Sequence, residues 1–270
     1  MRNWLLDDNR RLAYRETGTG RPLVLLHGWS MSSAVFTETL PALADHFRVL
    51  APDLRGHGLS EGGSGYALDD LADDLRMWLE GLKIDSFDLL GWSLGGQVAL
   101  RLASQLGPRV RRLLLVAATP CFVAGEGWTA GLPAGQVKAM ARGLRRRYQE
   151  TLEDFFHRQF VAGEISAERL RQIKAFAAPV IGDRIPAAEP ILAALETLQT
   201  TDLRRELKEL QVPTMVVHGE GDDIIPCEAG RYLATNLPHG SFFGLPDTGH
   251  APFLTRPEQC CNLLREFCRP

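Results

Sequence analysis

The pentapeptide Gly-Trp-Ser-Leu-Gly at residues 91–95 has a serine between two glycines, directly after an apolar run and directly before a helical pattern. This order predicts a strand, a sharp turn and a helix, with Ser93 at the apex of the turn. Glycines fit where the turn brings strand and helix together, and a strained backbone lifts the serine hydroxyl out for attack. The stretch therefore predicts a nucleophilic serine, which needs a base, an acid that orients the base, and N–H donors for an oxyanion.

A second string of the same form runs from Gly58 to Gly62, with Ser60 at its centre. No strand pattern leads directly into it, and the glycine- and serine-rich residues that follow are typical of a loop rather than a helix. We expect Ser60 to bond nearby backbone in a turn and not to act as the nucleophile.

The base is expected to be His250, on the loop after the last strand pattern at residues 240–245. An imidazole there takes the proton of the serine hydroxyl, which is otherwise a poor nucleophile, and passes it to the leaving group. The chain order serine, acid, histidine is also that of a known triad. The other histidines are interpreted as structural or solvent-exposed: His27, His46, His57, His157, His218 and His239.

The orienting acid is expected on the loop after the strand pattern at residues 212–219, where Asp222 and Asp223 are adjacent. Asp222 is preferred because it follows the glycine that ends the strand turn, whereas Asp223 would cap a helix or face solvent. Two further carboxylates at strand exits, Asp53 and Asp247, are interpreted as turn residues that bond their own backbone.

Two backbone N–H groups are expected to bind the oxyanion, each typically contributing ~3 kcal/mol. One belongs to Leu94, directly after the nucleophile, and the other to Trp29, on the loop after an early apolar strand. Gly28 allows that loop to approach closely. The side chains of Trp29 and Trp92 flank these positions and are expected to line a substrate pocket, with core packing as the alternative.

Strand and helix patterns alternate over most of the chain, which predicts an α/β protein with a mostly parallel central sheet flanked by helices. Residues 3–17 predict an antiparallel hairpin at one edge. Such sheets bind ligands at the carboxyl ends of their strands, where the serine, acid and histidine all fall.

The alternation stops at about residue 120, and the next stretch predicts helices only. We therefore expect a core made of residues 1–120 and 191–270, and an inserted helical lid made of residues 121–190. The helices in and beside the lid are expected at roughly 134–147, 149–161, 166–177 and 187–199.

The composition of this 270-residue chain limits the kinds of partner and the cellular location that we expect. A net charge of −3 argues against a nucleic-acid partner, and no apolar run is long enough to cross a bilayer. The N-terminus lacks the apolar core of a signal peptide. Five cysteines, an odd number in no metal spacing, are interpreted as reduced thiols of a cytosolic protein that holds no metal.

The motifs resemble the α/β-hydrolase superfamily over nearly the whole chain. Within it the chain is similar to the pimeloyl-acyl-carrier-protein methyl ester esterases of biotin synthesis. The segments that carry this closer resemblance are Leu-Leu-His-Gly-Trp at 25–29, Gly-Trp-Ser-Leu-Gly-Gly at 91–96, Thr-Pro-Cys-Phe at 119–122 with Trp128, Leu-Gln-Thr-Thr-Asp-Leu-Arg at 198–204, and His-Ala-Pro-Phe at 250–253.

The resemblance implies a monomeric cytoplasmic carboxylesterase without cofactor. It would cleave the methyl ester at the end of a pimeloyl chain carried by acyl carrier protein. The family's roles carry over to Ser93, Asp222 and His250 as the triad and to Trp29 and Leu94 as oxyanion donors.

Basic residues are in excess in residues 138–158, although the chain is acidic overall. Acyl carrier proteins are acidic, so this excess is expected to steer and orient one, with a solvated helix face as the alternative. The candidate carrier-binding residues are Arg142, Arg145, Arg146, Arg147 and Arg158. Phe155 and Phe156 are candidates for lining the acyl channel, with packing inside the lid as the alternative.

Other functions share these motifs. A broad-specificity short-chain carboxylesterase or a carbon–carbon bond hydrolase would have the same triad and fold and differ only in pocket and lid. A non-enzymatic ligand-binding receptor on the same fold is the alternative of another class. Haloalkane dehalogenases and epoxide hydrolases are disfavoured because they have aspartate at the position of Ser93.

Overall fold

A computed structural model describes residues 1–178 and 185–269. Eight strands form one sheet in the order β1-β2-β4-β3-β5-β6-β7-β8. β2 pairs antiparallel with β1 and β4, and the other neighbours are parallel. The strands are β1 (Arg2–Leu5), β2 (Arg11–Thr17), β3 (Arg21–Leu26), β4 (Phe47–Pro52), β5 (Phe87–Trp92), β6 (Val110–Val116), β7 (Thr214–Gly219) and β8 (Gly240–Leu245). The predicted mostly parallel sheet with an antiparallel hairpin at one edge is confirmed.

Burial explains why the sequences of the central strands are continuous apolar runs. Every residue of β5 and the last four of both β3 and β6 are buried, since helices cover both faces of the sheet. β8 lies at an edge, and its first five residues alternate between partly buried and exposed positions, followed by the buried Leu245.

Ten α-helices occur among the described residues. They are α1 (Thr39–Leu43), α2 (Leu68–Gly81), α3 (Leu94–Leu106), α4 (Ala134–Arg146), α5 (Tyr148–His157), α6 (Ala167–Ala177), α7 (Ala188–Thr200), α8 (Cys227–Asn236), α9 (Pro252–Thr255) and α10 (Pro257–Phe267). The four helices expected in and beside the lid correspond to α4–α7. The division we expect between residues 190 and 191 falls inside α7.

The segment at 201–204 contacts residues 121–128, where the lid is expected to begin. Cys121 and Asp202 form an isolated antiparallel bridge. The guanidinium of Arg204 lies 5.4 Å from the ring centroid of Trp128, and the indole of Trp128 donates to the Cys121 carbonyl at 2.9 Å. This Thr-Asp-Leu-Arg motif, one of those that carry the family resemblance, thus contacts the turn at residues 121–128.

All five cysteines are free thiols, three of them buried. Within residues 1–178 and 185–269, no helix is long and apolar enough to cross a membrane.

Candidate active site

Ser93 occupies the single-residue turn between β5 and α3, with φ 57° and ψ −118°. An L-residue rarely adopts this backbone, so the surroundings must enforce it. A Cβ on Gly91 would lie 2.3 Å from the Gly95 carbonyl oxygen, and a Cβ on Gly95 would lie 2.4 Å from the Leu26 carbonyl oxygen. The two flanking glycines are therefore required by the close approach of helix, turn and neighbouring strand, as the sequence predicts.

Ser60 has a different environment. Its hydroxyl donates to the Asp53 carbonyl at 2.6 Å and accepts from the Ala13 N–H at 2.9 Å. The Asp53 carboxylate accepts from the N–H groups of Ser33 and Leu59. Ser60 bonds nearby backbone, which confirms the structural interpretation of the second serine motif. Asp53 is also structural, but its carboxylate joins separate segments at Ser33 and Leu59 rather than bonding its own turn.

The loops after β7 and β8 bring Asp222 and His250 together. Oδ2 of Asp222 lies 2.7 Å from Nδ1 of His250, and both side chains are buried. The other oxygen, Oδ1, accepts from the N–H groups of Ile224 and Ile225 at 2.8 and 2.9 Å. Asp223 is exposed, so the structure brings Asp222 and not its neighbour to the histidine.

Two histidines surround the Asp222 carboxylate. Nε2 of His218 lies 3.3 Å from the same Oδ2 that faces His250, and 2.9 Å from the Ile225 carbonyl oxygen. Burial alone raises the pKa of Asp222, but attraction to His250 and hydrogen bonds from both rings outweigh it and hold that pKa well below its ordinary value. Asp222 is therefore a carboxylate at neutral pH and can hold the imidazole of His250 in one tautomer.

Trp92 joins the serine turn to the histidine loop. Its indole N–H donates to the His250 carbonyl at 2.8 Å, and the two ring centroids are 5.6 Å apart. Because Trp92 directly precedes Ser93, this bond sets the turn at Ser93 against the loop that carries His250. Nε2 of His250 is buried and has no hydrogen-bond partner among the described residues. This nitrogen is therefore available to accept the proton of a serine hydroxyl. Catalytic hydrogen bonds often become short only when substrate is bound.

The two expected oxyanion donors belong to backbone close to Ser93. Leu94 is the first residue of α3, where N–H groups lack intrahelical partners and the helix dipole favours negative charge. A Cβ on Gly28 would lie 3.2 Å from Cβ of Ser93, so the backbone before Trp29 comes close to the nucleophile.

His27 holds the backbone at Gly28 in place through two hydrogen bonds. Its Nε2 accepts from the Leu54 N–H at 2.9 Å, which leaves Nδ1 to donate to the Gly28 carbonyl at 2.8 Å. Burial lowers the pKa of His27 to about 4, so the ring is neutral in this arrangement. These contacts fit the structural role expected for His27.

The aromatic candidates separate into two groups. The indole of Trp29 donates to the Ile191 carbonyl on α7 at 2.8 Å, and its ring packs edge-on against Phe155 at 4.8 Å. Phe155 therefore lies beside the oxyanion loop. Phe156 is buried against Phe160, with ring centroids 5.5 Å apart, which fits the packing alternative.

The five candidate arginines occupy three environments. Arg142, Arg145 and Arg146 line one cavity of about 750 Å³ between α4 and α7, together with Lys138. The remaining two arginines do not line this cavity. The guanidinium of Arg147 pairs with Glu150 at 2.6 Å, and that of Arg158 donates to the Asp223 carbonyl at 3.0 Å.

Two residues between α5 and α6 that sequence reasoning missed contact the loop that carries His250. The Gln159 carbonyl accepts from the His250 N–H at 2.8 Å, and the Glu164 carboxylate accepts from the Gly249 N–H at 3.1 Å. Gln159 is fully buried, and its carboxamide has no partner among the described residues. The sequence offers no clear signal for Gln159, since it follows the polar residues His157 and Arg158.

Among residues 1–178 and 185–269, no cluster of three or more histidine, cysteine, aspartate or glutamate side chains is arranged to hold a metal ion. An elbow serine and a buried histidine–aspartate pair on one edge of a parallel sheet are the arrangement of a serine hydrolase with the α/β-hydrolase fold.

Comparison with known proteins identifies the family. A family model described as alpha/beta hydrolase fold matches residues 21–257. The pimeloyl-acyl-carrier-protein methyl ester esterase of Nitrosomonas europaea is 37% identical over 243 residues, covering 90% of this chain and 94% of that protein. The protein of the same name from Vibrio cholerae is 35% identical over 95% of this chain and 97% of that protein. The solved structure of the esterase EaEST from Exiguobacterium antarcticum has a TM-score of 0.90 and 26% identity, with 98% of both chains covered. The chain therefore belongs to the α/β-hydrolase family and, within it, to the family of the pimeloyl-acyl-carrier-protein methyl ester esterases.

Proposed function

We propose that this protein is a serine carboxylesterase that hydrolyses the methyl ester of pimeloyl-acyl-carrier protein to pimeloyl-acyl-carrier protein and methanol in biotin biosynthesis. The observation that carries the chemistry is the buried Asp222–His250 pair, 2.7 Å apart, whose loop is bonded to the Trp92 that precedes Ser93. The substrate is supported by two relatives named for this reaction, at 37% and 35% identity over at least 90% of the chain.

In this mechanism Ser93 attacks the ester carbonyl carbon while Nε2 of His250 takes the hydroxyl proton. The negative oxygen binds the N–H groups of Trp29 and Leu94. His250 then gives its proton to the departing methoxide, which leaves as methanol. A water molecule deprotonated by His250 attacks the acyl-enzyme, and the free carboxylic acid is released from Ser93. Asp222 stabilises the imidazolium at both proton transfers.

The acyl chain is proposed to lie among aromatic side chains. Trp92 directly precedes Ser93, Trp29 follows the Gly28 that approaches Cβ of Ser93, and Phe155 packs on Trp29. These rings offer an apolar wall to a methylene chain. Phe156 has a supporting role in this proposal, because it is buried and packs on Phe160.

The carrier is proposed to dock on the exposed basic surface of α4. Arg142, Arg145 and Arg146 are exposed and face one cavity with Lys138. Four neighbouring cations attract an acidic carrier and fix its orientation. Arg147 already pairs with Glu150 and Arg158 already bonds a carbonyl, so we assign both a smaller share.

The division into a core (1–120 and 191–270) and a lid (121–190) is part of this proposal. It is supported by the fastening of the lid's first turn at Asp202 and by the contact of α7 with Trp29. A monomer that works in the cytoplasm without a cofactor, acting on carrier-linked and on small free esters, is also proposed, on the strength of the family resemblance.

A fluorophosphonate probe, which phosphonylates activated serines, tests the assignment of the nucleophile. We expect one adduct per chain on the peptide that contains Ser93, and loss of both the adduct and ester hydrolysis in Ser93→Ala. Ser60→Ala is the matched control and should label like the wild type. An adduct that persists in Ser93→Ala would refute the proposed nucleophile, and labelling without any ester turnover would favour a ligand-binding receptor.

A further inference from the structure

One short stretch of the lid, residues 158–164, is bonded to both loops that carry the proposed acid and base. Arg158 donates to the carbonyl of Asp223, next to the acid. The Gln159 carbonyl accepts from the N–H of His250 itself. The Glu164 carboxylate accepts from the N–H of Gly249, directly before the base. Two consecutive N–H groups of the histidine loop are therefore held by the lid.

Glu164 is itself held firmly. The same Oε2 that faces Gly249 accepts from the Val161 N–H at 2.8 Å, and the Glu164 N–H donates back to the Val161 carbonyl at 3.0 Å. This reciprocal pair closes a turn around the carboxylate. The other oxygen, Oε1, is buried and has no hydrogen-bond partner among the described residues. The side chain therefore acts as a fixed acceptor.

Gly249 shows how closely the lid and the histidine loop fit. Its φ is not in the left-handed region. A Cβ at this position would lie 2.4 Å from the Gln159 carbonyl oxygen and 3.1 Å from Oε2 of Glu164. Glycine is required here by the approach of the lid backbone and not by the turn, so the two segments pack as one unit.

We propose that Glu164 is a positioning residue of the reaction, whose carboxylate fixes the backbone of the base loop and thereby the direction of the His250 imidazole. The inference rests on the proposed function. Asp222 holds the ring at Nδ1, but a ring pivots with its backbone, and that backbone is anchored through Gly249 and His250 to the lid. Reaction geometry is sensitive to this anchoring, since a misplacement of about 1 Å costs roughly 10²-fold in rate.

The test compares Glu164→Ala and Glu164→Gln on p-nitrophenyl butyrate, a small ester that needs no carrier. We expect Glu164→Ala to lower kcat by about tenfold or more with KM little changed, because the ester still binds but the base is misdirected. Glu164→Gln keeps an oxygen that can accept both N–H groups and should recover most of kcat. Glu168→Ala, an exposed glutamate on α6, is the matched control and should behave like the wild type.

Thermal unfolding of each variant accompanies the kinetics. If Glu164→Ala does not fold, Glu164→Asp replaces it, because the shorter side chain withdraws the oxygen from Gly249 and keeps the charge. Full kcat in a folded Glu164→Ala or Glu164→Asp would overturn the inference, as would a rise in KM with kcat unchanged. Equal loss of kcat in Glu164→Gln and Glu164→Ala would overturn it too. Fluorophosphonate labelling of Ser93 in the wild type separates these outcomes from failure of the proposed function.

Discussion

The two carboxylate oxygens of Asp222 have different partners, one the loop backbone and the other His250. Oδ1 accepts two N–H groups of its own loop, and Oδ2 lies 2.7 Å from Nδ1 of His250. The first set of bonds fixes the carboxylate, so the second can fix the ring. The imidazole of His250, the proposed base for Ser93, is therefore oriented from one side by the loop that carries Asp222.

Replacement of the acid tests this assignment. Asp222→Asn keeps the shape of the side chain but offers its N–H₂ group where His250 needs an acceptor, which favours the wrong tautomer. We expect kcat for a p-nitrophenyl ester to fall by roughly 10⁴-fold. Asp223→Asn is the matched control, because Asp223 is exposed, and should retain activity. A larger loss in Asp223→Asn than in Asp222→Asn would contradict the assignment.

The approach of the oxyanion loop is tested at Gly28. A Cβ there would lie 3.1 Å from the Trp92 ring and 3.2 Å from Cβ of Ser93, so one of them must move by a few tenths of an ångström. Gly28→Ala should lower kcat by about tenfold while the protein stays folded. Gly135→Ala, in α4 with open space around it, is the control and should leave kcat unchanged. Unaltered kcat in folded Gly28→Ala would show that the loop does not act on the nucleophile.

Stability should fall in mild acid because of two buried histidines. Burial lowers the pKa of both His27 and His57 to about 4, from 6.5, and the charge of His27 adds to the effect on His57. Between these values the unfolded chain binds protons that the folded protein does not. The stabilising contribution is therefore complete above pH 6.5 and is lost as the pH falls towards 4, by up to about 1.4 kcal/mol per pH unit for each histidine.

Urea unfolding between pH 7 and pH 4.5 measures this slope. His57→Asn keeps an N–H near the Arg55 carbonyl that His57 contacts and cannot titrate, so its free energy of unfolding should depend less on pH. His239→Gln changes an exposed histidine and should keep the wild-type slope. An unchanged slope in His57→Asn would refute the assignment of acid sensitivity to this ring.

The basic cavity predicts a substrate-dependent effect. Charge reversal at Arg145 and Arg146 together should raise KM for a carrier-linked ester by about tenfold, through lost attraction to an acidic partner. Hydrolysis of a free methyl ester should change little. Arg171→Glu, an exposed arginine on α6, is the control within the lid. Equal losses on both substrates would indicate that the pair supports lid folding rather than carrier binding.

The elbow at Ser93 and the strand exits at Asp222 and His250 could be predicted because their signals are local. Glycine spacing, an apolar run and the helix that follows are all contained within a few residues. The same applies to the order of strands and helices. The signal that favours Asp222 over Asp223 is also local, because it depends on the glycine directly before Asp222. In the structure Asp222 is buried and Asp223 is exposed.

The contacts between the lid and the histidine loop could not be predicted. Glu164 and Gly249 are 85 positions apart, and Trp92 and His250 are 158 apart. Such bonds depend on how segments distant in the chain pack together, which periodicity within a single helix or strand does not encode. The charge run at 142–147 was equally ambiguous, because only the position of α7 shows that three arginines share a cavity while Arg147 pairs with Glu150.

The most direct measurement is methanol release from pimeloyl-acyl-carrier-protein methyl ester compared with free dimethyl pimelate, with Ser93→Ala as the blank. We predict that kcat/KM for the carrier-linked ester exceeds that for the free diester by at least about tenfold, since only the former engages the basic surface. Methanol should not form in the blank. Equal or lower kcat/KM for the carrier-linked ester, or methanol release by Ser93→Ala, would contradict the proposal.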